Sequence, residues 1–134
     1  MNEQTKVCQI LIVDDVPAVR ESLRWLLQDE HDLSVVGEAT NGAQALERVA
    51  ELKPQVVILD IELPDQDGYA VARQLKQLPH PPTIVFLSIH GDADSRERAR
   101  LAGADGFVAK GDGSTALVEH IRAAVGGRTS HERS

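Results

Sequence analysis

The 134-residue chain contains one cysteine, Cys8, so no intrachain disulfide can form, and the thiol falls in an apolar run where it reads as a small buried hydrophobe. No apolar stretch approaches the ~20 residues that a bilayer-spanning helix requires. The first six residues, MNEQTK, are polar and carry no apolar signal-peptide core. Basic residues are scarce relative to acidic ones, 14 against 21, which leaves a formal net charge of −7. A mean field of that sign repels phosphate backbones and anionic lipid, and so argues against non-specific nucleic-acid or membrane binding. There is no glycine-rich phosphate loop, no low-complexity segment and no internal repeat. The five histidines, His31, His80, His90, His120 and His131, show no zinc-ligand spacing. What is present, 42% hydrophobic and 26% charged residues, is the composition of one soluble globular domain, and the cytoplasm is its expected compartment.

Short β-rich runs alternate with segments of helical period. VCQILIV (7–13), LSVVGEA (33–39), QVVILD (55–60), TIVFLS (83–88) and GFVAK (106–110) read as strands, the nearly continuous apolar character of the first fitting a strand covered on both faces. The first helix opens at Pro17, a residue suited to the first helical position, and Val19, Leu23, Leu26 and Leu27 form its apolar stripe. Trp25 lies beside that stripe and is expected to be partly buried. Asn41 is the expected N-cap of a second helix, with Leu46 and Val49 inward, and Asp67 that of a third, with Val71, Ala72, Leu75 and Leu78 inward. From Asp92 to Ala102 only alanines and Leu101 can pack, which predicts a loosely held helix. Ser114 is the expected cap of a fifth, which buries Leu117, Val118, Ile121 and Val125 and stops at Gly126–Gly127. Strict alternation with short connections implies right-handed βαβ crossovers and a parallel sheet covered by helices on both faces. Residues 1–126 are read as the domain and 127–134, which are polar and aperiodic, as a tail or the start of a linker.

In an open parallel sheet, ligands gather beyond the carboxyl ends of the strands. The residues at those ends are Asp14 and Asp15 after the first strand, Asp60 after the third, Ser88 after the fourth and Lys110 after the fifth. Carboxylates a few ångströms apart raise one another's pKa unless a cation neutralises them, and Mg²⁺, which takes oxygen ligands and keeps several waters, suits the task. One carboxylate is then placed to meet a phosphoryl group, Lys110 can neutralise the phosphoryl oxygens, and Ser88 can hydrogen-bond to them.

Asp14–Asp15, Asp60, Ser88 and Lys110, in that order at those strand ends, resemble the response-regulator receiver pattern. LPDQDG after Asp60 resembles the family's Pro-containing loop closing on Gly68, and AGADGFVAK the stretch leading into its lysine. The resemblance covers about residues 7 to 125, with the flavour of NarL/FixJ-type (LuxR-type) receivers of the CheY-like superfamily. It implies a flavodoxin-like (βα)5 doubly wound parallel sheet of strand order 2-1-3-4-5. It further implies Asp60 as phosphoacceptor, Asp15, Asp60 and the backbone carbonyl of Glu62 as direct Mg²⁺ ligands, Asp14 acting through water, and Ser88 with Phe107 as a switch pair. The implied role is a two-component signalling receiver rather than an enzyme. The implied partners are a sensor histidine kinase or phosphotransfer protein, with homodimer formation on phosphorylation. The implied output is transcription through a helix-turn-helix domain not in this chain, the other reading being a stand-alone receiver, and no direct nucleic-acid contact by this domain is expected. Two departures stand out: Gly111 follows Lys110 where many relatives have proline, and Glu62 places an extra negative charge beside the site.

Two alternatives remain at this stage. A haloacid-dehalogenase-like phosphatase also uses a strand-end aspartate with Mg²⁺, but its motif has a second carboxylate two residues after the first, which VDDVPA lacks. The other is a receiver-shaped interaction module that takes no phosphate. Arg96 and Arg100, one helical turn apart, read as part of a solvated helix with Asp94 and Glu97, the competing reading being a partner-binding face.

Overall fold

The computed structural model describes residues 7–89, 91–110 and 114–133; for 114 and 126–133 the description is of backbone alone. His90, the side chain of the expected cap Ser114 and that of His131 therefore lie outside the described residues. The elements are β1 (Cys8–Val13), α1 (Pro17–Leu27), β2 (Leu33–Ala39), α2 (Gly42–Leu52), β3 (Val56–Asp60), α3 (Gly68–Lys76), β4 (Thr83–Ser88), α4 (Ala93–Leu101), β5 (Gly106–Ala109) and α5 (Ser114–Arg133). The five strands are parallel in order β2-β1-β3-β4-β5, the flavodoxin-like arrangement.

The alternation of strand side chains builds two cores. Leu11, Val13, Val57, Leu59, Ile84, Phe86 and Phe107 face α2, α3 and α4, while Ile10, Ile12, Val56, Ile58, Val85, Leu87 and Val108 face α1 and α5. A period of two thus makes β1, β3 and β4 apolar on both sides. The helix starts follow the capping chemistry: the Asn41, Asp67 and Asp92 side chains accept from the N–H of Gln44, Ala70 and Ser95. At the end of α4, Gly103 takes φ +97°, a left-handed conformation that suits glycine and stops the helix.

Several expectations fail for local reasons. Trp25 is 71% exposed, because Leu23 and Leu27 set the buried face of α1 and residue 25 points away from it. Leu78 lies beyond the end of α3 and is exposed, and Leu101 projects from α4 into solvent, leaving Ala99 as that helix's buried residue. Cys8, at the start of β1, is only partly buried, and that burial pushes its thiol pKa up. The fifth helix does not stop at Gly126–Gly127 but runs to Arg133. Glycine lowers helix stability by about 1 kcal/mol relative to alanine without barring helical dihedrals. No helix among the described residues is long and apolar enough to cross a membrane.

Candidate functional site

Strand pairing assembles the site. Val13 pairs with Leu59 and Asp60 with Leu87, so Asp14 and Asp60 emerge side by side at the carboxyl edge, with Ser88 one residue further along β4. Ser88 pairs in turn with Ala109, which puts Lys110 just past the end of β5. Asp14, Asp60 and Ser88 are buried and Asp15 is exposed. One carboxylate oxygen from each of Asp14, Asp15 and Asp60 lies within 4.8 Å of the others. The Lys110 Nζ approaches Asp14 Oδ2 at 3.3 Å and Asp60 Oδ1 at 3.7 Å.

Burial first, and then the neighbouring Asp14 charge, raise the Asp60 pKa from 3.8 to about 6. Lys110 and the Glu62 N–H, which donates to Asp60 Oδ1 at 3.3 Å, oppose that rise without cancelling it. One ammonium among three carboxylates leaves the cluster net negative. This donor set, hard oxygens from separate elements converging on one point, fits a hard divalent cation. Nothing in it suits a soft metal: the one cysteine is at the opposite end of β1.

The loop after Asp60 is folded back on itself. Gly68 N–H donates to the Ile61 carbonyl at 2.6 Å, and a Cβ at Gly68 would lie 2.5 Å from the Asp60 carbonyl oxygen, so only glycine fits. Asp65 accepts from Gly42 N–H at 2.8 Å and Ala43 N–H at 3.0 Å, fastening the same loop to the start of α2. The β1–α1 loop is held by Asp14 Oδ1, which accepts from Val16 N–H at 2.9 Å.

Phe107 is 8% exposed and packs in the core under α4. The Arg96 guanidinium lies over its ring at 4.8 Å from the centroid while Arg96 Nε donates to the Gly91 carbonyl at 3.0 Å. Arg98 lies over the Tyr69 ring at 4.5 Å, and the Tyr69 hydroxyl donates to the Ser95 carbonyl at 3.3 Å. Arg100 pairs with Glu97 on the solvated side, as expected.

The structure brings Asp14, Asp15, Asp60, Ser88 and Lys110 to one edge. It adds Asp65, Arg96 and Tyr69, whose roles the sequence did not show, because each acts on a residue of another element or loop and no spacing rule connects them.

Comparison with known proteins agrees with this fold. A model of the response regulator receiver domain family matches residues 10–122. The chain is 34% identical over 126 residues to a protein-glutamate methylesterase/protein-glutamine glutaminase of Methanospirillum hungatei, covering 92% of this chain and 35% of that protein. It is 33% identical over 117 residues to the DNA-binding transcriptional activator EvgA of Escherichia coli, covering 87% and 57%. The chain thus spans between about a third and somewhat over half of these curated relatives' lengths. Among solved structures, a LuxR-family two-component response regulator from Aurantimonas superposes with a TM-score of 0.86 at 31% identity, covering 91% of this chain and 87% of that one. The response regulator domain of Thermotoga maritima CheB gives 0.81 at 31% identity, covering 89% and 96%.

Proposed function

The chain belongs to the response regulator receiver family, and from that premise we propose that Asp60 is its phosphoryl acceptor. The observation that carries this reading is the buried Asp60 carboxylate flanked by Asp14, Asp15 and the Lys110 ammonium. The donor is a phosphohistidine on a sensor kinase or phosphotransfer protein. An Asp60 oxygen attacks phosphorus, the O–P bond forms as the donor's N–P bond breaks, and the electron pair leaves with the imidazole nitrogen, which takes a proton. A carboxyl group of pKa about 6 is mostly ionised at pH 7.5 and so available for attack.

Lys110 lies where it can neutralise a phosphoryl oxygen, and Ser88 at the end of β4 where it can donate to one. Asp15, Asp60 and the Glu62 backbone carbonyl would hold Mg²⁺ directly, with Asp14 through water. The ion would supply charge neutralisation between the acceptor carboxylate and the phosphoryl group. Ser88 and Phe107 form the switch pair, through which phosphorylation acts on α4 and β5. The domain is cytoplasmic, occupies residues 1–126 with 127–134 leading out of it, makes no nucleic-acid or membrane contact itself and forms a homodimer on phosphorylation.

Its output is transcription, through a DNA-binding domain such as the one that gives the relative EvgA its description. A second reading, gating of an attached catalytic domain, is favoured by the methylesterase relatives. Family membership, and the lack in VDDVPA of a second carboxylate two residues after the first, favour both over a haloacid-dehalogenase-like phosphatase.

Intact mass after acetyl phosphate treatment with Mg²⁺ should rise by one phosphoryl group, and omission of Mg²⁺ should suppress the gain. An Asp60→Asn variant that gains the same mass at the same rate refutes the assignment.

A further inference from the structure

We infer that Arg20 is a positioning residue for the metal-binding loop. This rests on the reading of Asp14, Asp15 and Asp60 as a Mg²⁺ site and concerns how tightly that site holds the ion. Arg20 closes the first turn of α1, and its Nη1 donates to the backbone carbonyl of Asp14 at 2.7 Å. Its Nε donates to Glu38 Oε1 of β2, also at 2.7 Å, so the guanidinium is held from behind by a carboxylate on the neighbouring strand. The Asp14 N–H donates to the Ala39 carbonyl at 3.1 Å, and Asp14 Oδ1 accepts from Val16 N–H.

Asp14 is thereby fixed at its amide, its carboxylate and its carbonyl, and Arg20 supplies the last of these. The peptide between residues 14 and 15 is planar, so fixing its carbonyl fixes the direction in which the chain enters Asp15. Asp15 is the exposed member of the cluster and lacks the packing that holds Asp14 and Asp60 in place. The Arg20 bond substitutes for it. Partners that orient metal ligands from behind are worth about 10–100-fold in metal affinity.

Arg24 provides the internal control. It pairs with the other oxygen of Glu38 and fastens the same helix to the same strand, yet it makes no bond to the β1–α1 loop. Titration calorimetry with MgCl₂ on wild type, Arg20→Gln, Arg24→Gln and Asp15→Asn separates the roles, with exchange of the Val16 amide followed in the metal-free proteins. Arg20→Gln should raise the Mg²⁺ Kd about tenfold and speed Val16 exchange, while Arg24→Gln should stay within about twofold of wild type in both. A Kd for Arg20→Gln within about twofold of wild type overturns the proposal, as does an equal rise in both variants, which would mark the Glu38 pairs as a plain helix-to-strand tie. If Arg20→Gln does not fold, Arg20→Lys keeps the charge without the fork and should still raise Kd at least about threefold; a wild-type Kd there overturns the proposal. If Asp15→Asn binds Mg²⁺ as wild type does, the metal reading itself falls and the Arg20 proposal with it. If Asp15→Asn loses binding while Arg20→Gln keeps it, only the Arg20 proposal falls.

Discussion

Replacing Asp60 by asparagine should stabilise the metal-free protein, because the structure holds a carboxylate in a place that disfavours its charge. Asp60 is 6% exposed, and burial and Asp14 together raise its pKa from 3.8 to about 6. A rise of that size corresponds to roughly 2–3 kcal/mol of penalty on the ionised form at about 1.4 kcal/mol per pKa unit. For a domain of this size it translates into roughly 6–12 °C in Tm. The folded pKa lies above the unfolded one, so the folded state binds the proton more tightly. The penalty is therefore present in full above pH 6 and is relieved as the pH falls through 6 towards 3.8. Asparagine does not titrate, so the advantage of Asp60→Asn should be largest at pH 7.5 in EDTA and shrink steadily towards pH 5. Calorimetric melts of both proteins at several pH values, with EDTA and with millimolar MgCl₂, provide the test. Mg²⁺ should narrow the gap at pH 7.5, since a ligand that binds only the native state adds RT ln(1 + [L]/Kd) and the variant has lost one of its ligands. An Asp60→Asn protein that melts at or below wild type in EDTA at pH 7.5, or a gap that does not change with pH, refutes the electrostatic account.

Three further outcomes follow from particular contacts. Gly68→Ala places a methyl group 2.5 Å from the Asp60 carbonyl oxygen and 2.7 Å from the Ile61 Cα, both backbone, so the loop must shift. Its acetyl phosphate reaction should slow more than tenfold, and a wild-type rate would show that the loop has slack. Leu75→Ala opens a cavity under α3 at a fully buried position and should cost about 2–5 kcal/mol by urea unfolding, with phosphorylation of the folded fraction unchanged. Beryllofluoride with Mg²⁺ should change amide exchange most from Ser88 to Lys110, α4 included, and Ser88→Ala should still accept phosphate while losing much of that response. Changes confined to the loops around Asp14 and Asp60 would disprove the output path.

The sheet and its reactive edge were legible because both rest on local signals. Apolar runs bounded by turn residues gave β2 and β4 to the residue, and the carboxyl ends of the strands then named Asp14, Asp15, Asp60, Ser88 and Lys110 without any knowledge of pairing. Strand order was not local, and came from resemblance. Side-chain exposure at element ends was misread wherever one residue decided it: Trp25 and Leu101 are apolar and lie on helices, but each projects away from the sheet. The run of α5 through Gly126–Gly127 was missed because glycine is permissive and does not by itself compel a stop.

The way α4 is held is the most informative. Its sequence, ADSRERARL, offers almost nothing to an aliphatic core, and from that poverty a loosely held helix was expected. The structure shows Ala99 buried and two arginines laid over aromatic rings of other elements, Arg96 on Phe107 of β5 and Arg98 on Tyr69 of α3. Contacts of this kind contribute about 0.5–1 kcal/mol each at exposed sites, less than a well-packed leucine. They make α4 attached but easily released. One of the two holds Phe107, proposed above as half of the switch pair, and that ring already lies inward at 8% exposure. A motion that carries Phe107 must therefore work against Arg96, and the cost falls on the α4–β5 surface rather than on the sheet. Polar and cationic residues read from sequence as a solvated face are here the means by which the helix is held. Because the hold is weak, a change of a few kcal/mol at Asp60 is of the right size to shift it.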